Sequence, residues 1–453
     1  MIQRLFRAAF VLIIILSLLM APAALALGDT VYTNTRRLAD NLELKNTISW
    51  HGVHGRTESF MLEMTGTGDA RPIIMKGDTV FGTTRISSMI SLAEERGYNV
   101  LAAVNSDFFF TQHGGVPMGI VIEDGVLKSS AGGRNAVIFG FDGSVDIIPA
   151  PTVWFSLTNQ GGSAYAGNSG QNVVFQHFNM PRTEHGGMVL YSEIFSAVST
   201  RTTTPGWYVR LRILDGVPTV SGSMLLEVTE TFLSGEAPEI GEGYLILTAA
   251  QMGELAHEFE KFAVGDIVSL STSVTDQRLL NARFATGGGY ILVQNGAIAD
   301  SAAWSQALQN RAPRTAFGIR ADGTIISIVI DGRAPTHSVG VTLHELAGEM
   351  LRQGAVYAVN FDGGGSSAMS VRIPGESTSR VVSRPSDGNE RGCATYLLFV
   401  TDSAPTGFAR NLGLSNDGVI VLSGSTVQLS PIATDAGYMP VNAPGDVDRK
   451  SVV

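Results

Sequence analysis

The sequence predicts a mixed α/β (α+β) protein: a large mixed sheet region, two-lobed, with a few flanking helices, followed by a partial β-sandwich-like C-terminal segment. Three observations carry that expectation. Apolar runs of strand length, closed by turn dipeptides, recur from residue 58 to residue 400. Few segments place their apolar residues at helical spacing. The composition, 44% apolar and 16% charged, is that of a packed chain and the reverse of a disordered one.

Each element follows from its own pattern. Residues 58–64 read as a strand. Residues 85–96 read as a helix whose apolar face is Ile86, Met89, Ile90 and Ala93, stopped by Gly97. The run 100–104 has the length of a buried strand and delivers Asn105-Ser106-Asp107-Phe108-Phe109 at its end. Asp124-Gly125 and Asp142-Gly143 mark two hairpins. Residues 159–172 are rich in Gly, Ser and Asn and read as a loop, 207–214 and 223–228 as strands, and 248–262 as one helix. Strands at 315–320 and 325–330 flank Asp322-Gly323. Residues 342–352 form a helix opened by a capping box of Thr342 and Glu345, and 356–361 is again a buried strand. That strand–helix–strand order predicts a βαβ-like unit with a right-handed connection.

The chain length, 453 residues, exceeds one ordinary core. The expected division is a signal peptide at 1–26, a strand-containing region at 27–79, a catalytic region at 80–402 with an inserted lobe at about 150–285, and a short segment at 403–453 whose strands, 419–422 and 426–430, look sandwich-like. At the N-terminus, Arg4 and Arg7 precede an apolar run, and Ala24-Leu25-Ala26 offers small residues for cleavage. Export follows, to the medium or the cell envelope; an uncleaved membrane anchor is the alternative. Removing residues 1–26 moves the net charge from −10 to −12. That charge, with no Lys/Arg cluster, argues against nucleic acid as a partner. Cys393 is the only cysteine, so an internal disulfide is excluded, and it reads as a small buried hydrophobe.

Candidate chemistry gathers where apolar runs end. Asn360-Phe361-Asp362-Gly363-Gly364-Gly365-Ser366-Ser367 joins a buried strand to a carboxylate, three glycines and two hydroxyls. Such a turn can offer successive N–H groups to an anion. It also fits the G-x-G-x-x-A pattern of dinucleotide binding, but a strand and not a helix follows, so that reading fails. Asn105 and Asp107, Pro313-Arg314-Thr315, Asp331-Gly332-Arg333, and Arg384 through Asp387 to Arg391 lie at other strand ends. His344-Glu345 lacks the second histidine of a zinc-protease helix, Gly348 standing in its place, and His51 and His54 have no third ligand nearby. No cofactor is expected. Asp107, Asp331, Asp362 and Asp387 could hold Ca²⁺ or Mg²⁺, but read better as turn carboxylates and sugar-hydroxyl acceptors.

Five motifs in order, 104–109, 313–318, 329–333, 358–367 and 384–391, resemble the phosphodiester glycosidase family. Two departures stand out: Ser106 lies where the family commonly has glycine, and Ser383 where it often has asparagine. The resemblance spans roughly residues 80–402 and implies a hydrolase cleaving the sugar–phosphate bond of sugar-1-phosphodiesters in surface or extracellular glycans, with cell-wall association. It implies catalytic roles for Asp362, Asp107 and Asp331. It implies substrate or phosphate binding by Asn105, Arg314, Thr315, Arg333, Gly363, Gly364, Gly365, Ser366, Ser367, Asp387 and Arg391. Arg314 and Arg391 suit the diester anion; Asp362 or Asp107 suits an oxocarbenium-like centre as nucleophile, base or electrostatic partner. The other reading is a non-catalytic glycan or cell-wall binding module that keeps the fold; retention of the Asp, Arg and Gly motifs favours the enzyme.

Overall fold

The computed structural model describes residues 27–130, 132–162, 169–182, 187–252, 254–415 and 423–444. The expected signal segment at 1–26 and the expected strand at 419–422 lie outside the described residues. Strands dominate, and the two α-helices among the described residues are α1 (Ile86–Glu95) and α2 (Leu343–Arg352). Ile86, Met89, Ile90 and Ala93 of α1 are buried, as their spacing requires. At the start of α2, Thr342 and Glu345 each accept the other's backbone N–H.

The body is two packed sheets. The larger runs in the order Asp29–Ala39, Leu42–His51, Gly55–Met64, Ile325–Ile330, Arg314–Arg320, Ala355–Asn360, Ile291–Gln294, Ala297–Ile298, antiparallel throughout. Helix α2 covers one face, setting Leu343, Leu346 and Met350 against Ile326, Ile328 and Ala358. The other face, with Leu62, Phe317, Val329 and Val359, meets α1 and a five-stranded sheet built on Asn99–Asn105, Thr395–Thr401 and Ala70–Lys76. The expected βαβ-like unit occurs in split form. Ile325–Ile330 and Ala355–Asn360 run the same way, but Arg314–Arg320 lies between them, antiparallel to both. The tight turn at Asp322-Gly323 makes Arg314–Arg320 the hairpin partner of Ile325–Ile330, so the crossover must reach one strand further.

Residues 153–274 supply all eight strands of a second large sheet. Its edge strands, Asn172–Phe175 and His177–Phe178, are separated by one residue, so the sheet must curl back on itself. The helix expected over 248–262 is absent: Tyr244–Ala250 is a strand, and only Ala256–Lys261 turns, as a 3₁₀ helix. The reason is double burial. Leu245, Leu247 and Ala249 enter one core and Ile246 another, which is strand periodicity.

A five-stranded sheet forms the wall between body and lobe. In its strand Asn135–Gly140, Val137 and Phe139 face the body core while Ala136 and Ile138 face the lobe core. At the C-terminal end, Asn411–Leu414, Pro431–Thr434 and Pro440–Val441 form a small sheet. The strand expected at 426–430 is irregular chain. Tyr438 moors this sheet to the body: its hydroxyl accepts from the Asp40 N–H at 3.0 Å and donates to Asp69 at 2.9 Å.

Candidate active site

Asn105 ends its strand fully buried and ties three motifs together. Its Nδ2 donates to the Asp362 carbonyl at 2.8 Å, and its Oδ1 accepts from Thr315 Oγ1 at 3.0 Å and the Ala368 N–H at 3.1 Å. Thr315 is 3.1 Å from Ser367 Oγ, and the Asp362 N–H donates to the Ser106 carbonyl at 2.9 Å. Segments more than two hundred residues apart in sequence therefore meet through saturated polar contacts. Ser106 fits because its hydroxyl joins those of Thr286 and Thr395 at 3.1 and 2.9 Å.

The two leading carboxylates differ. Asp107 is fully buried; its Oδ1 accepts from the Phe108 N–H at 2.7 Å and its Oδ2 from the Gly119 N–H at 2.6 Å. Burial pushes its pKa up to about 7, against the pull of those N–H groups and of Arg134, while the Asp362 charge pushes the same way as burial. Asp362 is half-buried, and its Oδ1 accepts from the Gly363 N–H at 2.9 Å. Burial raises its pKa too, opposed by Ser366, Gly363, Arg391 and Arg134. The Ser366 hydroxyl is buried and, among the described residues, makes no hydrogen bond of normal geometry, although it lies close enough to favour the Asp362 charge.

The glycine loop is not the open N–H cradle that its sequence suggests. The Gly363 N–H goes to Asp362, that of Gly364 to the Pro313 carbonyl at 2.8 Å, and those of Ser366 and Ser367 to Gly363 and Gly364 at 3.3 Å. Gly364, Gly365, Ser366 and Ser367 are buried. The glycines instead admit charged side chains. A Cβ on Gly365 would stand 2.2 Å from Arg391 Nη2 and from Asp387 Oδ2. Gly364 adopts φ 64, and a Cβ there would lie 3.2 Å from Arg333 Nη2.

Four arginines reach this loop or Asp362. Arg391 pairs with Asp387 at 2.6 Å on the surface. Arg314 is 5% exposed, its Nε and Nη2 spent on the carbonyls of Val341, Leu308 and Asn310. Burial, helped by the neighbouring Arg333 charge, lowers its pKa to about 10. Arg333 is exposed and touches Ser386 Oγ at 3.4 Å. Arg134 lies 4.8 Å over the Phe108 ring. Arg134, Arg314 and Arg333 have no carboxylate within ion-pair distance among the described residues.

Asp331 is engaged elsewhere. Both of its oxygens accept the Arg384 N–H, at 2.9 and 3.0 Å, and Oδ2 meets His337 at 2.8 Å. It pins one end of the 384–391 loop. Glu390 pins the other by accepting the N–H and hydroxyl of Ser87, in the first turn of α1, at 3.1 and 2.7 Å. Arg391 is thereby aimed. Cys393 is buried, with its thiol pKa pushed up to about 12 by burial. No three His, Cys, Asp or Glu side chains gather as a metal shell among the described residues.

Sequence reasoning missed three contributors. Arg134 acts on both carboxylates from a loop that carries no motif. Glu390 sat inside a motif without an assigned role. A second triple-glycine run, Gly287-Gly288-Gly289, presses on the site from behind: a Cβ on Gly287 would lie 2.4 Å from Asp107 Oδ2, and one on Gly289 2.6 Å from Asn360 Oδ1. Three consecutive glycines at a strand end were the available signal.

This is a site of half-buried carboxylate, glycine turn and unpaired arginines at the meeting of two sheets. Residues 228–400 match the phosphodiester glycosidase family model, and four of the five motifs fall within them. The resemblance read from those motifs is borne out there, and at family level it supports a glycosidase-type hydrolase. A hypothetical protein from Synechocystis has a similar structure, with TM-score 0.62, 17% identity, and coverage of 82% of this chain and 64% of that one. So does a protein of Burkholderia pseudomallei K96243 described as exported, with TM-score 0.56, 22% identity, and coverage of 76% and 74%. At those identities the likeness is one of fold. The SPbeta prophage-derived protein YomE of Bacillus subtilis (strain 168) is 32% identical over 133 residues. That match covers 24% of this chain, and the chain spans only 20% of the length of this curated relative. No helix among the described residues is long and apolar enough to cross a membrane.

Proposed function

We propose that the chain hydrolyses sugar-1-phosphodiesters of surface or extracellular glycans, with Asp362 as the carboxylate beside the anomeric carbon. One observation carries the reading: Arg134, Arg314 and Arg333 stand around Asp362 and its glycine loop without carboxylate partners, in a chain of net charge −10. Neighbouring like charges are costly unless an anion lies between them. A diester phosphate supplies that anion.

In this arrangement Arg314, Arg333 and Arg391 hold the phosphate, and the sugar lies over Asp362. The C1–O bond breaks and its electron pair leaves with the phosphate oxygen, giving a phosphomonoester. Phosphate is a good leaving group, so little protonation is needed, and the arginines meet its growing charge. The Asp362 carboxylate stabilises the oxocarbenium-like carbon. Water supplies the new C1–O bond, and its released proton goes to solvent. Asp107, sealed behind, is a positioning residue: it fixes the Phe108 and Gly119 backbone. Asn105, Thr315 and Ser367 hold the three motif segments in register. Export through the 1–26 segment would bring the enzyme to such glycans.

The test is incubation of the purified chain with a panel of sugar-1-phosphodiesters. Release of free sugar together with phosphomonoester is expected. Binding without release across the panel overturns the reading. Arg333→Gln should raise KM at least tenfold, the scale of one lost charge-assisted contact.

A further inference from the structure

The outer face of the lobe sheet and the 111–116 segment enclose a cleft of about 260 Å³, lined by residues distinct from those placed around Asp362. Phe81, Tyr191 and Phe195 give it aromatic walls, Arg182 and Arg201 its charge, and His113 lines it beside them. No Asp or Glu lines it among the described residues.

Arg182 is 4% exposed. Its Nη1 donates to Thr248 Oγ1 at 2.6 Å and the Ala249 carbonyl at 3.2 Å, and its Nη2 donates to the Thr204 carbonyl. Its Nε is buried without a partner among the described residues. These contacts fix the guanidinium, yet none neutralises it. A buried cation with no counter-charge among the described residues is costly unless an anion balances it. Arg201 brings a second charge. It lies 5.0 Å over the Phe81 ring, donates from Nε to Ser196 Oγ at 3.0 Å and has no ion pair among the described residues. Its backbone sits at φ 52, a left-handed conformation that non-glycine residues adopt at some cost and that clusters at functional positions.

We infer that this cleft binds a phosphate group, free or carried on a small sugar, between Arg182 and Arg201, with His113 at the rim. Pockets for whole drug-sized ligands run to about 300–1,000 Å³. This cleft is smaller and suits one charged group with at most a single ring. The inference stands apart from the proposed hydrolysis, since it uses none of the same residues.

The test uses the full chain in phosphate-free buffer, with inorganic phosphate and glucose 6-phosphate as probes. Amide hydrogen exchange over 111–116 and 199–204 gives a readout local to the cleft. Both segments should gain protection at millimolar phosphate, in the wild type and equally in Arg333→Gln, where the candidate active site is impaired. Arg201→Asn, chosen because asparagine tolerates the left-handed backbone, should weaken the effect about tenfold. Protection by glucose 6-phosphate at tenfold lower concentration identifies a sugar-borne phosphate, and equal potency the free ion. Protection confined to 363–367, or unchanged in Arg201→Asn, overturns the inference. A change in Arg333→Gln that leaves 199–204 untouched bears on the hydrolase reading alone.

Discussion

The two triple-glycine runs meet the same site from opposite sides and answer different needs. Gly364 and Gly365 let exposed charged side chains close on the backbone; Gly287–Gly289 lets backbone close on buried polar side chains, the Asp107 carboxylate among them. The side chains against the first run are exposed, and those against the second are buried. Asp362 and Asp107 inherit that difference, one half-open and one sealed. On the proposed reading, similar residues at similar strand ends become a reacting group and a positioning group.

The largest expected effect separates the two carboxylates. Asp362→Asn should lower kcat by about 10²–10³ with KM little changed, the scale of one electrostatic stabiliser acting in the transition state. Steady-state kinetics on the best diester of the panel measure it. Near-wild-type kcat with a raised KM would make Asp362 a binding residue.

Next comes the dryness of Asp107. Its folded pKa is raised to about 7, above that of the unfolded chain. Between the ordinary carboxylate range and pH 7 the folded state keeps a proton that the unfolded state has lost. Stability should therefore fall as pH rises through that window, by on the order of a few kcal/mol, and level off above it. Denaturant melts from pH 4 to 8 test this, and Asp107→Asn should make the profile shallower, with the raised carboxyls of Asp362 and Asp331 keeping part of the slope. An equal slope in the variant assigns the dependence to another group.

Gly287→Ala should cost about 1–3 kcal/mol, because the added Cβ meets a carboxylate that cannot move. In Gly365→Ala the opposing atoms are ends of exposed side chains, so the loss should stay below about 1 kcal/mol. Arg391 would still be displaced, with KM rising by about tenfold. Equal melting losses in the two variants would erase the distinction between the runs.

The sequence made local chemistry legible. Helices α1 and α2, the capping box, the Asp-Gly hairpins and the strand ends bearing Asp107, Asp331 and Asp362 all depend on near neighbours. What stayed hidden depends on distant approach. The N–H groups of the glycine loop look available until Pro313 is brought against Gly364. Arg134 and Glu390 gain their roles from partners far along the chain. Asp331 looks like a third reacting carboxylate until the Arg384 N–H is seen on both oxygens. The helix expected over 248–262 begins too early because Thr248–Ala250 ends a strand buried on both faces, where polar alternation is lost.

The strand Asn135–Gly140 gives alternate side chains to two cores, so neither the body nor the lobe owns it. Excising residues 150–281 would leave Ile120, Ile122, Ala136 and Ile138 facing water, a ready surface for aggregation. An insertion sharing such a wall is no detachable module. Any lineage that lost it would have to rewrite every second residue of the strand, while a lineage that keeps it can vary the far side of the lobe freely.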